Sequence, residues 1–340
     1  MTAMRRQGFI LITALWTLAF LAVLAVTLLA GVRQRIFLFQ RIEDRLRVQS
    51  AAEAGAKKAQ AVILDAMEDA AGTFSAQVKQ RLGNNPAEFS AIVVDGVSVE
   101  VVHETPDALT ASLVAVWGVA DEQSRFNINT VARDVLARLA AEVLACNEAE
   151  ARAVADAVVD WRDYGRHETE GFFSGDYYKS LEFPYPVKEK PFERVDELLL
   201  VKGFDRKIFD RLAPFVTVYG DGRVNINTAS RPVLIALGFD AMLVDKILRV
   251  RRGVDNVEAT ADDHVFTFAF DIAAETAKAV ALEPREVNQI NELNARNLLA
   301  TESGIYSFLS RVPAPDGGYK RSISCVFSVF ESKVLYWYEK

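Results

Sequence analysis

Apolar residues run unbroken from Phe9 to Val32, then become periodic, then alternate with polar ones, and each change of pattern predicts a different element. The first run, FILITALWTLAFLAVLAVTLLAGV, is 24 residues without a charge. At about 1.5 Å of rise per residue it makes a helix about 36 Å long, enough to cross a hydrocarbon layer of about 30 Å with some tilt. Arg5 and Arg6 precede it, and the positive-inside bias then keeps the short N-terminus in the cytoplasm while the rest crosses. A secretory signal peptide would have an apolar core of about 7–15 residues and a small-x-small cleavage site. Here the helical pattern continues. Arg33, Arg35, Arg41, Arg45 and Arg47 mix with Ile36, Phe37, Phe39, Ile42, Leu46 and Val48, and AAEAGAKKAQAVILDAM follows, rich in strong helix formers. One helix from near Phe9 to near Met67 is expected, lipid-embedded in its first half and amphipathic in its second.

Residues 70–90 are mixed and polar, a helix end and loop with Asn84-Asn85-Pro86 as a breaker. AIVVDGVSVEVVHE then alternates, with Val97, Val99 and Val101 on one face and Ser98 and Glu100 on the other, the pattern of strands. ASLVAVWGVAD reads as a partner strand, joined through Thr105-Pro106-Asp107. From about Glu122 the pattern is helical until strands return in GIYSFLSRVP and SISCVFSVFESKVLYWYE, with Pro315-Asp316-Gly317-Gly318 as the turn between them. The expected class is α+β: an antiparallel sheet packed on the long helix, with a helical domain inserted between two strands. The boundaries are a basic segment at 1–8, a membrane span at 9–32, the amphipathic rest of the helix at 33–70, a first sheet part at 71–121, the helical insert at 122–302 and C-terminal strands at 303–340.

The insert contains a repeat. Residues 125–139 read RFNINTVARDVLARL and residues 223–237 read RVNINTASRPVLIAL. Each copy is a short extended segment leading into a helix. Thr130 and Thr228, or the Asn before each, can cap that helix, so these Asn and Thr pairs read as caps and loop braces, and Pro232 falls in its first turn, where a missing N–H costs little.

The chain has 46 acidic and 39 basic side chains, a formal net charge of −7, and the basic ones crowd near the span. That balance disfavours nonspecific binding to nucleic acid. Two cysteines, Cys146 and Cys325, fall in different domains and read as separate thiols, although an oxidising compartment would permit pairing. His103, His167 and His264 are too few and scattered for a zinc site. No Ser/His/Asp frame and no Gly-rich phosphate loop is present, so no enzyme is indicated. One acidic loop, VVDWRDYGRHETEGFFSGDYYKSLEFPYP, gathers Asp160, Asp163, Glu168, Glu170 and Asp176, a density of hard oxygens that suits Ca²⁺, though without the spacing of an EF-hand. Otherwise it is a solvated loop, with Tyr177 and Tyr178 as packing groups. The hairpins Gly203-Phe204-Asp205 and Gly238-Phe239-Asp240 are similar to helix-hairpin-helix modules that hold phosphate on backbone amides. An aspartate stands where the second glycine would be in both, which repels phosphate and offers a helix cap, and Lys246, Arg249, Arg251 and Arg252 read as a solvated face. A membrane-tethered DNA-binding module is therefore the lesser alternative.

The start of the chain resembles the prepilin family, in which a short basic leader ending in Gly is cut before an apolar helix; the junction here is Gly8–Phe9. Most family members carry a glutamate five residues into the processed chain, thought to pair with a neighbour's free amine, and Thr13 stands there instead. A plain membrane anchor with a chance Gly-Phe is the other reading. The ordered series QGFILIT, DEQSRFNIN, AVVDWRD, DYYKSLEFPY, PFERVDELLLVKGFDRKIFDRLAPFVTV, GRVNINTAS and IYSFLSRV resembles the general secretion pathway protein K family over nearly the whole chain. The resemblance implies a pseudopilin fold with a large helical insert. It implies a minor pseudopilin at the tip of a type II secretion pseudopilus, starting filament assembly and supporting export across the outer membrane; a minor pilin of a type IV pilus is a near relative of that reading. It further implies leader cleavage and methylation by a prepilin peptidase, and location in the bacterial inner membrane, single-pass, with the C-terminal part in the periplasm. The implied partners are other minor pseudopilins, the major pseudopilin and the inner-membrane assembly platform. It also implies calcium in the acidic loop, where Asp160, Trp161, Asp163, Asp176, Tyr177 and Tyr178 match, while Gly165 and Ser174-Gly175 depart from the family's acidic pattern.

Overall fold

The structure is a computed structural model that describes residues 4–69, 74–106, 113–163 and 175–340. Helix α1, Met4–Asp69, runs 66 residues without interruption. Its C-terminal half buries Ala52, Ala56, Ala59, Ile63 and Ala66, an i, i+4, i+7 stripe of mostly small side chains that lets the helix lie close on a sheet. Where a helix end and loop were expected, two short helices form: α2, Ala76–Gly83, capped by the Ser75 hydroxyl, which accepts from the Val78 N–H, and α3, Pro86–Phe89, capped by Asn85. The breaker residues thus start a helix, because Asn85 accepts from the Glu88 N–H and Pro86 needs no donor in the first turn.

Strands β1, Ile92–Val94, and β2, Val97–Pro106, form a hairpin whose Asp95-Gly96 turn has φ of 48° and 75°, the left-handed pair that a tight two-residue turn requires. Strand β2 runs through Thr105 and Pro106, which the sequence reading placed in a connection; Asp107 lies outside the described residues. Strand β3, Leu113–Trp117, pairs with β2, and β4, Ala120–Asp121, leads into the insert. After the insert come β9, Ile305–Pro313, β10, Tyr319–Ser328, and β11, Lys333–Glu339. The last aromatic run therefore folds as two strands, turning at Val329–Ser332. The sheet order is β1-β2-β9-β10-β11, with β3 beside β2 and β4 beside β9. All pairings in it are antiparallel. Val99, Val101, Tyr306, Phe308, Ile323 and Cys325 from its inner face bury against α1.

The insert is helical, as expected, but two small parallel bridges organise it. In chain order it holds β5, Phe126–Asn127; α4, Arg133–Leu144; α5, Glu148–Asp163; α6, Gly175–Lys179; α7, Arg206–Leu212; β6, Val216–Thr217; β7, Val224–Asn225; α8, Arg231–Leu237; α9, Ala241–Arg251; α10, Ile272–Ala279; α11, Pro284–Ala295; and β8, Leu299–Ala300. β5 pairs with β6 and β7 with β8, both in parallel. A single apolar core that includes Ile128, Leu136, Trp161, Leu212, Ile226, Leu234, Ile247 and Phe266 fills it.

The two repeat copies build the same local structure. Asn127 Oδ1 accepts from the Asn129 N–H at 2.9 Å, and Asn225 Oδ1 from the Asn227 N–H at 3.0 Å. Asn129 then grips the backbone of Phe192, accepting at 2.7 Å and donating at 3.0 Å; Asn227 grips Phe266 in the same way, at 2.9 Å for both. The expected helix caps do not form. The residues before α4 and α8, Ala132 and Ser230, make no side-chain cap bond, and Thr130 and Thr228 do not donate or accept at the helix starts. The other half of the expectation holds: the motif asparagines are braces between distant backbone segments.

Candidate assembly surface and acidic loop

The N-terminal half of α1 is the most unusual surface of the molecule. Its most apolar window has a mean hydropathy of 2.6 and none of it is buried. Phe9, Trp16 and Phe20 are about two-thirds or more exposed, and the apolar residues through Leu46 are open as well. A surface of that size is far beyond what water tolerates on a soluble domain. Every hydroxyl in the span is satisfied within its own helix: Thr13 donates to the Ile10 carbonyl at 2.9 Å, Thr17 to Ala14 at 2.9 Å and Thr27 to Leu24 at 2.9 Å. In lipid a threonine bonded in this way would need no partner, whereas a carboxylate there would need one. Gly8 and Phe9 lie inside the continuous helix Met4–Asp69.

Close approaches at Gly55, Ala52 and Gln60 are among those that hold the sheet on this helix. Gly55 sits where a Cβ would come within 2.5 Å of Ser310 Oγ and 2.6 Å of Val99 Cγ1, so only glycine permits the approach. Ser310 Oγ donates to the Ala52 carbonyl at 2.7 Å. Gln60 Nε2 reaches Cys325 Sγ at 3.6 Å.

The insert is tied to the sheet by buried charges. Asp121, at the end of β4, accepts from the Gln123 N–H at 2.8 Å, from Asn225 Nδ2 at 2.8 Å and from Thr228 Oγ1 at 2.5 Å. Burial pushes its carboxyl up, against the pull of hydrogen bonds from Ser303, Thr228, Gln123 and Asn225. Next to it, Glu122 accepts from Thr217 Oγ1. A second tie crosses from α2: Lys79 Nζ lies 2.6 Å from Asp263 and 2.8 Å from Glu258, with Arg251 also on Glu258 at 2.6 Å. Burial alone would raise the Glu258 carboxyl, but Arg251 and Lys79 hold it down at about 2.

The carboxylates of the acidic loop are only partly described. Asp160 and Asp163 close α5, and Asp176 lies in α6, while Glu168 and Glu170 fall outside the described residues. Asp163 pairs with Arg162 at 2.9 Å and Asp176 with Lys179 at 3.3 Å. Among the described residues no three acidic, histidine or cysteine side chains gather as a metal site. Tyr178, in α6, is fully buried, its ring 5.3 Å from Trp161 and 5.5 Å from Tyr185, and its hydroxyl accepts from the Lys202 N–H at 2.9 Å. Tyr178 is thus a packing group, while Tyr177 is more open.

At the two hairpins, Asp205 caps α7 by accepting from the Ile208 N–H at 2.7 Å, and Asp240 precedes α9 without a side-chain cap bond. The basic residues of α9 are largely engaged. Lys246 pairs with Glu286 at 2.7 Å, Arg251 is buried on the carbonyls of Ile226 and Ala229, and Arg252 pairs with Glu258 at 3.2 Å. Both cysteines are free thiols.

A long exposed apolar helix whose far half packs on an antiparallel sheet defines the pseudopilin class of fold, here with a helical body inserted between two strands. Known proteins carry the assignment further. Residues 113–221 match the family model described as Type II secretion system (T2SS), protein K. The type II secretion system protein K of Aeromonas hydrophila is 29% identical over 155 residues, covering 39% of this chain and 47% of that protein, so the chain spans about half the length of this curated relative. A chain in the crystal structure of the GspK-GspI-GspJ complex from the enterotoxigenic Escherichia coli type 2 secretion system shares the fold, with a TM-score of 0.60 and 15% identity over 90% of this chain and 99% of that one. The likeness to protein K in sequence thus lies in residues 113–221, and the likeness in fold extends over most of the chain.

Proposed function

We propose that this protein is a minor pseudopilin of a type II secretion system, held at the tip of a short periplasmic filament, where it starts assembly and supports export across the outer membrane. The observation that carries the reading is the single 66-residue helix, apolar and open in its first half and sheet-bound in its second. Such a helix is anchored in the inner membrane by one face-independent apolar run and can repack against other helices as the filament grows. The protein whose fold it shares was crystallised with two partners, GspI and GspJ; the corresponding minor pseudopilins are the proposed partners here, with the major pseudopilin below and the assembly platform in the membrane.

Two features support the tip position independently. Thr13 satisfies its own hydroxyl and so asks nothing of a subunit ahead of it. The insert adds a body on the sheet that a neighbour stacked above would meet. Cleavage between Gly8 and Phe9, followed by methylation, would free the helix for assembly. Site-directed cross-linking along residues 9–32 in cells tests the placement: partners on one axial side support it, and equal yields on both sides overturn it. Mass spectrometry of the purified protein tests the cleavage, since an intact Met1–Gly8 segment is incompatible with it.

Calcium belongs to the proposal through Asp160, Asp163, Glu168, Glu170 and Asp176. Calorimetric titration of the full chain with Ca²⁺ decides it: saturable heat lost on Asp160→Asn supports the site, and a flat titration removes it.

A further inference from the structure

The charge pattern around the span sets a puzzle. Five arginines, Arg33, Arg35, Arg41, Arg45 and Arg47, follow the apolar run within fifteen residues, against Arg5 and Arg6 before it. In the orientation proposed above, the richer cluster lies on the side where the positive-inside bias disfavours cations. Among the described residues only Arg47 of the five has ion-pair partners, Glu43 at 3.1 Å and Asp95 at 3.1 Å. Arg41 lies 4.4 Å over the Phe37 ring, and Arg33, Arg35 and Arg45 have no salt bridge among the described residues. All four are exposed.

The positions of the first two identify what meets them. Arg33 and Arg35 are two residues apart on one helix, so they point about 200° apart around its axis. A protein docked on one face reaches one of them and misses the other. A ring of headgroups reaches both. Their Cα atoms also lie about 1.5 and 4.5 Å beyond Val32, inside a headgroup layer of about 5–8 Å, and arginine forks a phosphate with two parallel hydrogen bonds. Arg41 and Arg45 stand about 13.5 and 19.5 Å beyond Val32, above that layer.

We propose that Arg33 and Arg35 form a collar for the phosphates of anionic phospholipids in the leaflet where the apolar run ends, and that this collar sets the depth at which α1 rests in the membrane. Pushing the helix inward would drag both guanidinium groups into hydrocarbon, and drawing it outward would separate them from the phosphates. The collar rests on the membrane-spanning reading of Phe9–Val32.

The test uses the full chain in bilayer nanodiscs of phosphatidylcholine and phosphatidylglycerol in a two-to-one ratio. Lipids retained after mild detergent extraction are counted by mass spectrometry. The expected result is a retained phosphatidylglycerol fraction raised about threefold or more over the bulk bilayer, abolished in Arg33→Gln/Arg35→Gln, largely kept in Arg33→Lys/Arg35→Lys and unchanged in Arg249→Gln. Inorganic phosphate, compared with chloride at equal ionic strength, leaves the enrichment intact if bilayer lipid is the ligand; specific displacement overturns that source. Retention without enrichment, or equal enrichment in the Gln double variant, overturns the collar alone. Release of the chain by alkaline carbonate overturns the spanning reading and the collar with it.

Discussion

The Asp121 carboxylate accepts a hydrogen bond from Asn225 Nδ2 at 2.8 Å, joining residues 104 positions apart. One sits where the chain leaves the sheet, the other in the second copy of the insert's repeat. Thr228 and the Gln123 amide complete the cluster. Replacing Asp121 with Ala strands several buried donors at once, and leaving buried groups unpaired costs about 3 kcal/mol or more. Denaturant unfolding of the full chain in detergent should show that loss, while Asn225→Asp, which adds a second carboxyl to the cluster, should be equally harmful.

Gly55 admits no side chain. A Cβ there would overlap Ser310 Oγ and Val99 Cγ1. Gly55→Val is therefore expected to push α1 off the sheet and cost about 1–3 kcal/mol as overpacking. Gly31, with open space around it, is the control: Gly31→Ala should leave the unfolding midpoint of the soluble part unchanged.

Lys79 is 6% exposed and faces Asp263, whose side chain is wholly buried. Lys79→Met leaves that carboxylate without its cation, and breaking a buried pair from one side costs about 3–5 kcal/mol. The same cluster has an acid limit. Glu258 titrates at about 2 in the folded protein against an ordinary 4.5. Its contribution is complete above pH 4.5 and disappears as pH falls towards 2. Limited proteolysis at falling pH should show the 251–263 segment opening in that window, and at neutral pH in Lys79→Met.

His103 acts earlier on the acid side. Burial, aided by the charge of Arg125, lowers its imidazole to about 4 from 6.5. The folded state resists a proton that the unfolded chain accepts, so this group starts to destabilise the fold as pH drops below 6.5 and stops near 4. His103→Gln should flatten the pH dependence of the melting temperature between those values without changing it above pH 7.

The long helix and the sheet were legible because their signals are local. An uncharged run of 24 residues and alternation at Val97, Val99 and Val101 each declare one structure. The repeat was equally visible, and so was a bracing use for its asparagines, but not what they brace. Their partners are Phe192 and Phe266, 63 and 39 residues further on. The Lys79, Glu258 and Asp263 tie left no trace either, since nothing near Lys79 in the chain marks it for burial. The candidate carboxylates were legible as a dense group, and two of the three described ones, Asp163 and Asp176, pair with nearby cations.

Strand β4 ends at Asp121, and it pairs with β9 through Ala120–Ser307 and Asp121–Tyr306. The chain therefore departs on its long excursion and comes back beside its own point of departure. A body attached in that manner can be gained or shed over evolution by a single splice, with the rest of the sheet never rethreaded.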